Sequence, residues 1–330
     1  MPEMVAIYGG ALAGCAAAIA ARQQGAAVVV YEKSRFPRHK VCGEFLSHGV
    51  EGVFRELGLW DSFLALNPAQ MTRLELHFRS RTFRYSLPAP CLGLSRFVLD
   101  DWLRQHAVAA GADWRQEPAP PAEAIGSRVV LAHGRKEAAP KGNRVFGFKA
   151  HHSGAPTDTI ELHFFDGCYV GVNPAENGIV NVCGLGPESV LARDGFDYDA
   201  LCDRIPSLRA RRQGLTRRMD WLSVGPLVYR NPPKAPALEG VYPAGDALGF
   251  VDPFTGTGMF NALLSGMLAG RAAARAEDVG VYLRQCGRLL HRPFLVSSLF
   301  RKALATGLAE RGAGWLPGWL LFRLTRAHLG

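Results

Sequence analysis

Two segments far apart in the chain hold residues whose types and spacing suit one kind of chemistry. The first is VAIYGGALAGCAAAIAARQQGAAVVVYEK, Val5 to Lys33. It reads as a β-branched strand, a glycine turn, an alanine-rich helix, a second strand and an acid. Gly9, Ala11 and Gly14 occupy the three places of a G-x-G-x-x-G turn, with alanine in the middle. Gly9 permits the tight turn, and Gly14 lets helix and strand pack closely. Leu12 and Ala13 open the helix, whose unpaired N–H groups can seat a pyrophosphate. Ala11 adds one methyl at the place where the pyrophosphate normally meets bare backbone. Glu32, about 20 residues on, can accept hydrogen bonds from ribose hydroxyls and disfavours a 2′-phosphate. The second segment is GVYPAGDALGFVDPFTGTGMFNALLSG, Gly240 to Gly266. It reads as a strand, Gly245-Asp246, a loop, and a helix opened by Gly256, Gly258 and Met259. A single coenzyme long enough to need both segments is FAD.

Between them lies SRFPRHKVCGEFLS, Ser34 to Ser47. Together with PAGDALGFVDPFTGTG this run resembles the FAD-dependent oxidoreductases of the geranylgeranyl reductase type, which share the p-hydroxybenzoate hydroxylase-like flavoprotein fold. Lys40-x-Cys42-Gly43-Glu44 matches that group's signature. The resemblance implies that Cys42 and Gly43 lie near the isoalloxazine, with Arg38 and Lys40 close by and Lys33 beside the adenosine end. It implies that Asp246 takes ribityl hydroxyls and that Pro253 lies by the ring. The second helix opening would face the flavin N1–C2=O edge and favour the anionic reduced form. In LSRFVLDDWLRQHAVAAGA, Leu94 to Ala112, Arg96 would pair with cofactor phosphates; a salt bridge to Asp100 at i,i+4 is the other reading.

The chain also departs from the family. His133 stands where many relatives have aspartate in Ala-Asp-Gly, and reads as a loop-end histidine. Tyr169 and Pro174 match a Tyr-x-Trp-x-Phe-Pro run, but Gly171 and Asn173 replace its two aromatics. That opens space and argues against a long prenyl substrate. No Trp-x-Trp-x-Ile-Pro run occurs, which argues against a flavin halogenase. Cys42 and Tyr169 are the catalytic candidates, with His39 and His48 as further acid–base candidates. No metal site is expected. No second nucleotide fingerprint follows, so the reductant is NAD(P)H docking transiently or a protein electron donor.

The 330 residues are 48% hydrophobic and 20% charged, which suits a globular chain of one large or two interleaved domains. Seven scattered cysteines without a C-x-x-C pair argue for a reducing, cytoplasmic setting and against a disulfide framework. No export signal or spanning segment is expected. The net charge of +9 carries no nucleic-acid motif with it. It suits a solvated basic face, or peripheral contact of the C-terminal segment with the inner membrane face. That tail, Gly312 to Gly330, mixes tryptophans with arginines and reads foremost as packing on the core.

The fold class is α/β: a Rossmann-like FAD-binding domain, an interleaved antiparallel β-sheet substrate domain, and C-terminal helices. The FAD-binding domain is expected over 1–66, 97–143 and 226–280, the sheet over 67–96 and 144–225, and the helical segment over 281–330. Asn177-Gly178 marks a hairpin within the sheet. A helix is expected over Leu99 to Ala110. No internal repeat is evident. The function expected is reduction or dehydrogenation of an apolar or aromatic small molecule, isoprenoid- or polyketide-like, by hydride transfer at flavin N5. A monooxygenase working through C4a-hydroperoxyflavin and a non-catalytic flavin-binding protein are the alternatives.

Overall fold

The computed structural model describes residues 4–121, 128–135, 144–155, 157–250 and 256–290. Pro253 and the C-terminal tail, on which the cofactor-ring contact and the membrane contact were expected, lie outside the described residues.

Five β-branched or aromatic segments form a parallel sheet. These are β1 (Met4–Tyr8), β2 (Ala27–Tyr31), β6 (Asp113–Arg115), β7 (Arg128–Leu131) and β14 (Val241–Pro243), in the order β14-β7-β1-β2-β6. Each inner strand is covered on both faces, which is why the segments read as unbroken apolar runs. Helix α1 (Leu12–Gln23) connects β1 to β2, and every residue from Leu12 to Ala21 is buried. Its alanines make that possible. Helix α8 (Gly258–Ala274) lies so close that a Cβ on Gly266 or Gly270 would fall 2.2 Å from the Ala13 or Ala17 carbonyl oxygen. In the same core, α4 (Arg96–Ala109) packs Trp102 against Phe54 of α2 (Val50–Glu56) and Phe63 of α3 (Trp60–Leu64). Helix α4 starts three residues before the sequence expectation. Ser95 caps it, its Oγ accepting from the Val98 N–H at 3.2 Å.

The second sheet is built from β3 (Phe45–Leu46), β4 (Ala69–His77), β5 (Thr82–Gly93), β8 (Val145–Gly154), β9 (Thr159–Phe165), β10 (Cys168–Pro174), β11 (Ile179–Pro187), β12 (Leu215–Arg217) and β13 (Leu222–Val224). Its order is β12-β8-β11-β10-β9-β4-β5-β3, with β13 also on β8. The hairpin expectation holds: Asn177 and Gly178 both take left-handed backbone, φ 55° and 74°. The expectation of a wholly antiparallel sheet does not, because β4 joins β9 in parallel. No short turn links these two strands, so no hairpin dictates their direction. The outer face carries Phe148, Val170, Val172, Val180 and Val182 beneath α5 (Glu188–Leu191), α6 (Tyr198–Asp203) and α7 (Pro206–Arg212). Strand register therefore turns Lys149, His151, Asn181, Cys183, Gly171, Asn173 and Tyr169 to the inner face. Among the described residues no helix is long and apolar enough to cross a membrane.

Candidate functional site

The carboxyl ends of the parallel strands converge. Gly9–Ala11 follows β1, Glu32 follows β2, Ala132–Arg135 follows β7 and Gly245–Ala247 follows β14. Ligands of open parallel sheets bind in such a crevice. Gly9 has φ +105°, and a Cβ there would lie 2.5 Å from the Ala132 carbonyl oxygen. A Cβ on Gly14 would lie 1.7 Å from the Gly9 carbonyl oxygen, so only glycine lets α1 start this close to the strand. Ala11 is the N-cap in ordinary extended backbone (φ −87°, ψ −160°), so the missing middle glycine strains nothing. Helix α1 has neither a side-chain cap nor an acid in its first turn. Its first N–H groups, on Leu12 and Ala13 among others, have no intrahelical partners and suit an anion.

Glu32 is buried, and its two carboxylate oxygens accept from the Gly10 N–H (2.8 Å) and the Ser34 N–H (2.7 Å). Each oxygen keeps a second lone pair for a hydroxyl. The Trp114 ring closes this end, since a Cβ on Gly10 would lie 2.2 Å from it. Lys33 is exposed, and Gly43 borders open space. Arg38 lies 5.8 Å from the Phe36 ring centroid, and its buried Nε has no hydrogen-bond partner. That is an orphan donor beside the crevice.

An open cleft lies between His133, Arg135, Val228, Arg230, Asp246 and Phe250. Asp246 keeps 39% exposure there and faces Arg135 Nε at 3.7 Å. Burial of the carboxyl pushes its pKa up, against the pull of Arg135, Arg96 and Lys40. Arg135 in turn lies 4.4 Å over the Phe250 ring. His133 is the loop-end histidine expected, with Nδ1 2.8 Å from the Gly134 carbonyl. At the opening of α8, Gly256 (φ +63°) lies against Phe45, Gly258 meets open space and Met259 turns into the core. Gly245 donates its N–H to Ser265 Oγ at 2.9 Å, tying the Gly-Asp turn to α8.

The segment between Ser34 and Ser47 is held by buried charge. Arg96 gives both Nε and Nη2 to Asp100, at 2.6 and 2.8 Å, and Lys40 Nζ adds a third contact at 2.8 Å. Of the two roles open to Arg96, the structure contains the Asp100 pair, and it is buried. Burial works to raise the Asp100 carboxyl, but Arg96 and Lys40 overcome it and hold it below its usual range. Cys42 is half-buried. Its sulfur accepts from the Glu44 N–H at 3.4 Å and its carbonyl from Asn181 Nδ2 at 3.1 Å.

Residues that sequence reasoning left without a role stand at the centre of this segment. Glu44 has no exposure and adopts φ 52°. It accepts from Lys149 Nζ, from the Arg96 N–H at 2.7 Å, and contacts His151 Nε2 at 2.6 Å. Burial works to raise its pKa, and the bonds from His151 and Lys149 outweigh it. His39 leans edge-on to His151 (5.0 Å) and stacks on Phe97 (4.7 Å); burial, then His151 and Lys149, lower its pKa. A lysine inside the apolar run RVFGFKAHH was the available signal. Tyr169 faces the same side of the sheet, but four residues along β10 from Asn173, roughly 13 Å at strand rise. Its ring lies 6.1 Å from Phe164. His39 and Cys42 thus gather around Glu44, and Tyr169 stands apart.

No family model matches the chain, and no curated protein matches it in sequence. Solved structures do. The flavin-dependent brominase Bmp2 has a TM-score of 0.82 at 20% identity, over 98% of this chain and 93% of that one. A flavoprotein/dehydrogenase from Cytophaga hutchinsonii has 0.79 at 16%, over 98% and 90%. A geranylgeranyl bacteriochlorophyll reductase-like protein from Thermoplasma acidophilum has 0.70 at 18%, over 99% and 93%. At such identities the likeness establishes the fold. The geranylgeranyl reductase type is one of several kinds of flavoprotein that share it, alongside halogenases.

Proposed function

We propose that this chain is an FAD-dependent oxidoreductase acting on an apolar or aromatic small molecule. The observation that carries the reading is the crevice. A buried acid after β2, an uncapped helix opening on α1, the Gly245-Asp246 turn and the glycine opening of α8 all border it. FAD spans this distance; when bound it supplies hydride exchange at N5. Glu32 would hold the adenosine ribose, the opening of α1 the pyrophosphate, and Asp246 with Arg135 the ribityl chain. Gly256 and Gly258 would let the ring approach α8. The inner face of the mixed sheet would bound the substrate, with Leu162, Phe164 and Tyr169 as its apolar part. The space expected from Gly171 and Asn173 is not open: both are buried, and a Cβ on Gly171 would lie 3.2 Å from Leu162, so this face suits a compact molecule and not a prenyl chain.

Reduction of an alkene or quinone needs a proton besides the hydride. His39 is the group best situated to deliver it. It is half-buried, rests against His151, and its buried Nδ1 has no hydrogen-bond partner. NAD(P)H docking transiently, or a protein donor, would reduce the flavin. A halogenating reading is carried by fold likeness alone.

The test is spectroscopic. The purified protein should be yellow and release FAD, and anaerobic reduction should bleach it. Quinones or activated alkenes should then restore the colour without oxygen, with the reduced product identified by mass. A colourless protein that takes up no FAD refutes the reading. Recovery only with oxygen, with an oxygenated product, replaces it with a monooxygenase.

A further inference from the structure

Glu75-Leu76-His77-Phe78 and Glu161-Leu162-His163-Phe164 are the same tetrapeptide. The parallel pairing of β4 with β9 sets them side by side in register, Glu75 against Glu161 and His77 against His163. The two-residue period of a strand turns both acids and both histidines to one face. Leu74 and Leu162 pack on the other face with Met71 and Phe45. The quartet therefore lies on the side of the sheet away from the cofactor crevice, against α7.

Its side chains are arranged in a common way. The two imidazoles stack, 4.4 Å apart and 6° from parallel. His163 has no exposure; its Nδ1 bonds Ser207 Oγ at 2.9 Å, and its Nε2 has no hydrogen-bond partner. His77 Nδ1 bonds Thr82 Oγ1 at 3.1 Å, leaving Nε2 3.3 Å from Glu75 Oε2. Arg211 Nε holds Glu161 Oε1 at 2.6 Å, leaving Oε2 3.8 Å from His163 Nε2. Arg84 Nε holds Glu75 Oε1 at 3.1 Å. Each of the four groups thus has one polar atom anchored from outside and the other directed inward. His77 and His163 each offer a nitrogen, and Glu161 an oxygen, within 4.8 Å of one another.

We propose that His77, His163 and Glu161 bind one divalent cation of the zinc type, with Glu75 beside His77 outside the ligand set. Two imidazoles and one carboxylate form a nitrogen–oxygen set suited to tetrahedral zinc. Bonds of about 2.0 Å imply ligand–ligand edges of about 3.3 Å, so the 3.8 Å between His163 and Glu161 needs little closure and the group, within 4.8 Å, must draw in. The two rings must tilt from parallel toward a shared centre. The hydroxyls on the Nδ1 atoms and Arg211 on the outer Glu161 oxygen are the kind of outer partner that orients ligands in zinc sites. Without an ion, the fully buried His163 Nε2 forgoes a hydrogen bond. Three protein ligands leave the fourth position to a water, and the ion clamps β4 to β9, the one parallel junction among the described strands of this sheet.

The experiment uses the full chain, stripped with a chelator, equilibrated with micromolar zinc, desalted and measured by mass spectrometry of the metal. One zinc per chain is expected, together with a rise in Tm on adding zinc. His77→Gln and Glu161→Gln should each weaken binding roughly 100-fold or more. His106→Gln, on the remote α4, should leave it unchanged. Cobalt substitution keeps the test valid if a variant fails to fold: visible d–d bands without a thiolate charge-transfer band are expected. Absence of zinc from the wild type, equal retention by the His77 and Glu161 variants, or a thiolate band from any of the seven cysteines would overturn the proposal.

Discussion

Lys149 and Glu44 form an ion pair in which neither side chain is exposed, joining the loop after β2 to β8 of the mixed sheet. Removing one partner strands the other charge in the interior, which costs about 3–5 kcal/mol. Lys149→Met should therefore lower the urea midpoint severely. Glu44→Gln combined with Lys149→Met should recover more than half of the loss, because no bare charge remains. A double variant as unstable as the single one would show that the two residues do not act as a unit.

Acid should weaken the fold before the carboxylates titrate. His152 is buried on β8, and burial, then Arg212, lowers its pKa to about 4. The unfolded value is about 6.5. A base lowered in the folded state contributes stability that is complete above pH ~6.5 and is lost as the pH falls toward 4. His39 shifts in the same direction. Denaturant midpoints should fall between pH 6.5 and 4, and His152→Gln should make that fall shallower. An unchanged slope would show that His152 is not buried as a neutral ring.

Glu32 should govern cofactor retention. Hydrogen bonds to a charged acceptor contribute about 1.5–3 kcal/mol. Glu32→Ala should then weaken FAD binding about 10- to 100-fold, read from flavin fluorescence during titration of the stripped protein. It should also loosen the turn, since the Gly10 and Ser34 N–H groups lose their acceptor. Equal affinity in both proteins would move the adenosine end elsewhere.

The glycine turn makes a paired prediction. Gly14→Ala sets a Cβ 1.7 Å from a carbonyl oxygen of the backbone, so it should cost at least about 3 kcal/mol and abolish FAD binding. Ala11→Gly should leave the fold intact and bind FAD at least as well, because the backbone at Ala11 already suits any residue. Thermal melts and flavin titration of the two variants decide it.

The amino-acid sequence by itself determined the local pieces of this protein. Gly9 and Gly14 with the acid at Glu32 define a strand-turn-helix-strand unit, because each feature acts through its own backbone neighbours. Asn177-Gly178 defines a hairpin for the same reason, and Gly258 with its alanine-rich continuation defines α8. The tertiary structure alone decided which distant groups meet. It brought Lys40 onto the Asp100 that Arg96 holds, brought Lys149 to Glu44, and set β4 parallel to β9. Burial and charge pairing select such partners in space, where sequence separation carries no signal. Two copies of Glu-Leu-His-Phe look unremarked in a linear reading, and only strand register makes them one cluster.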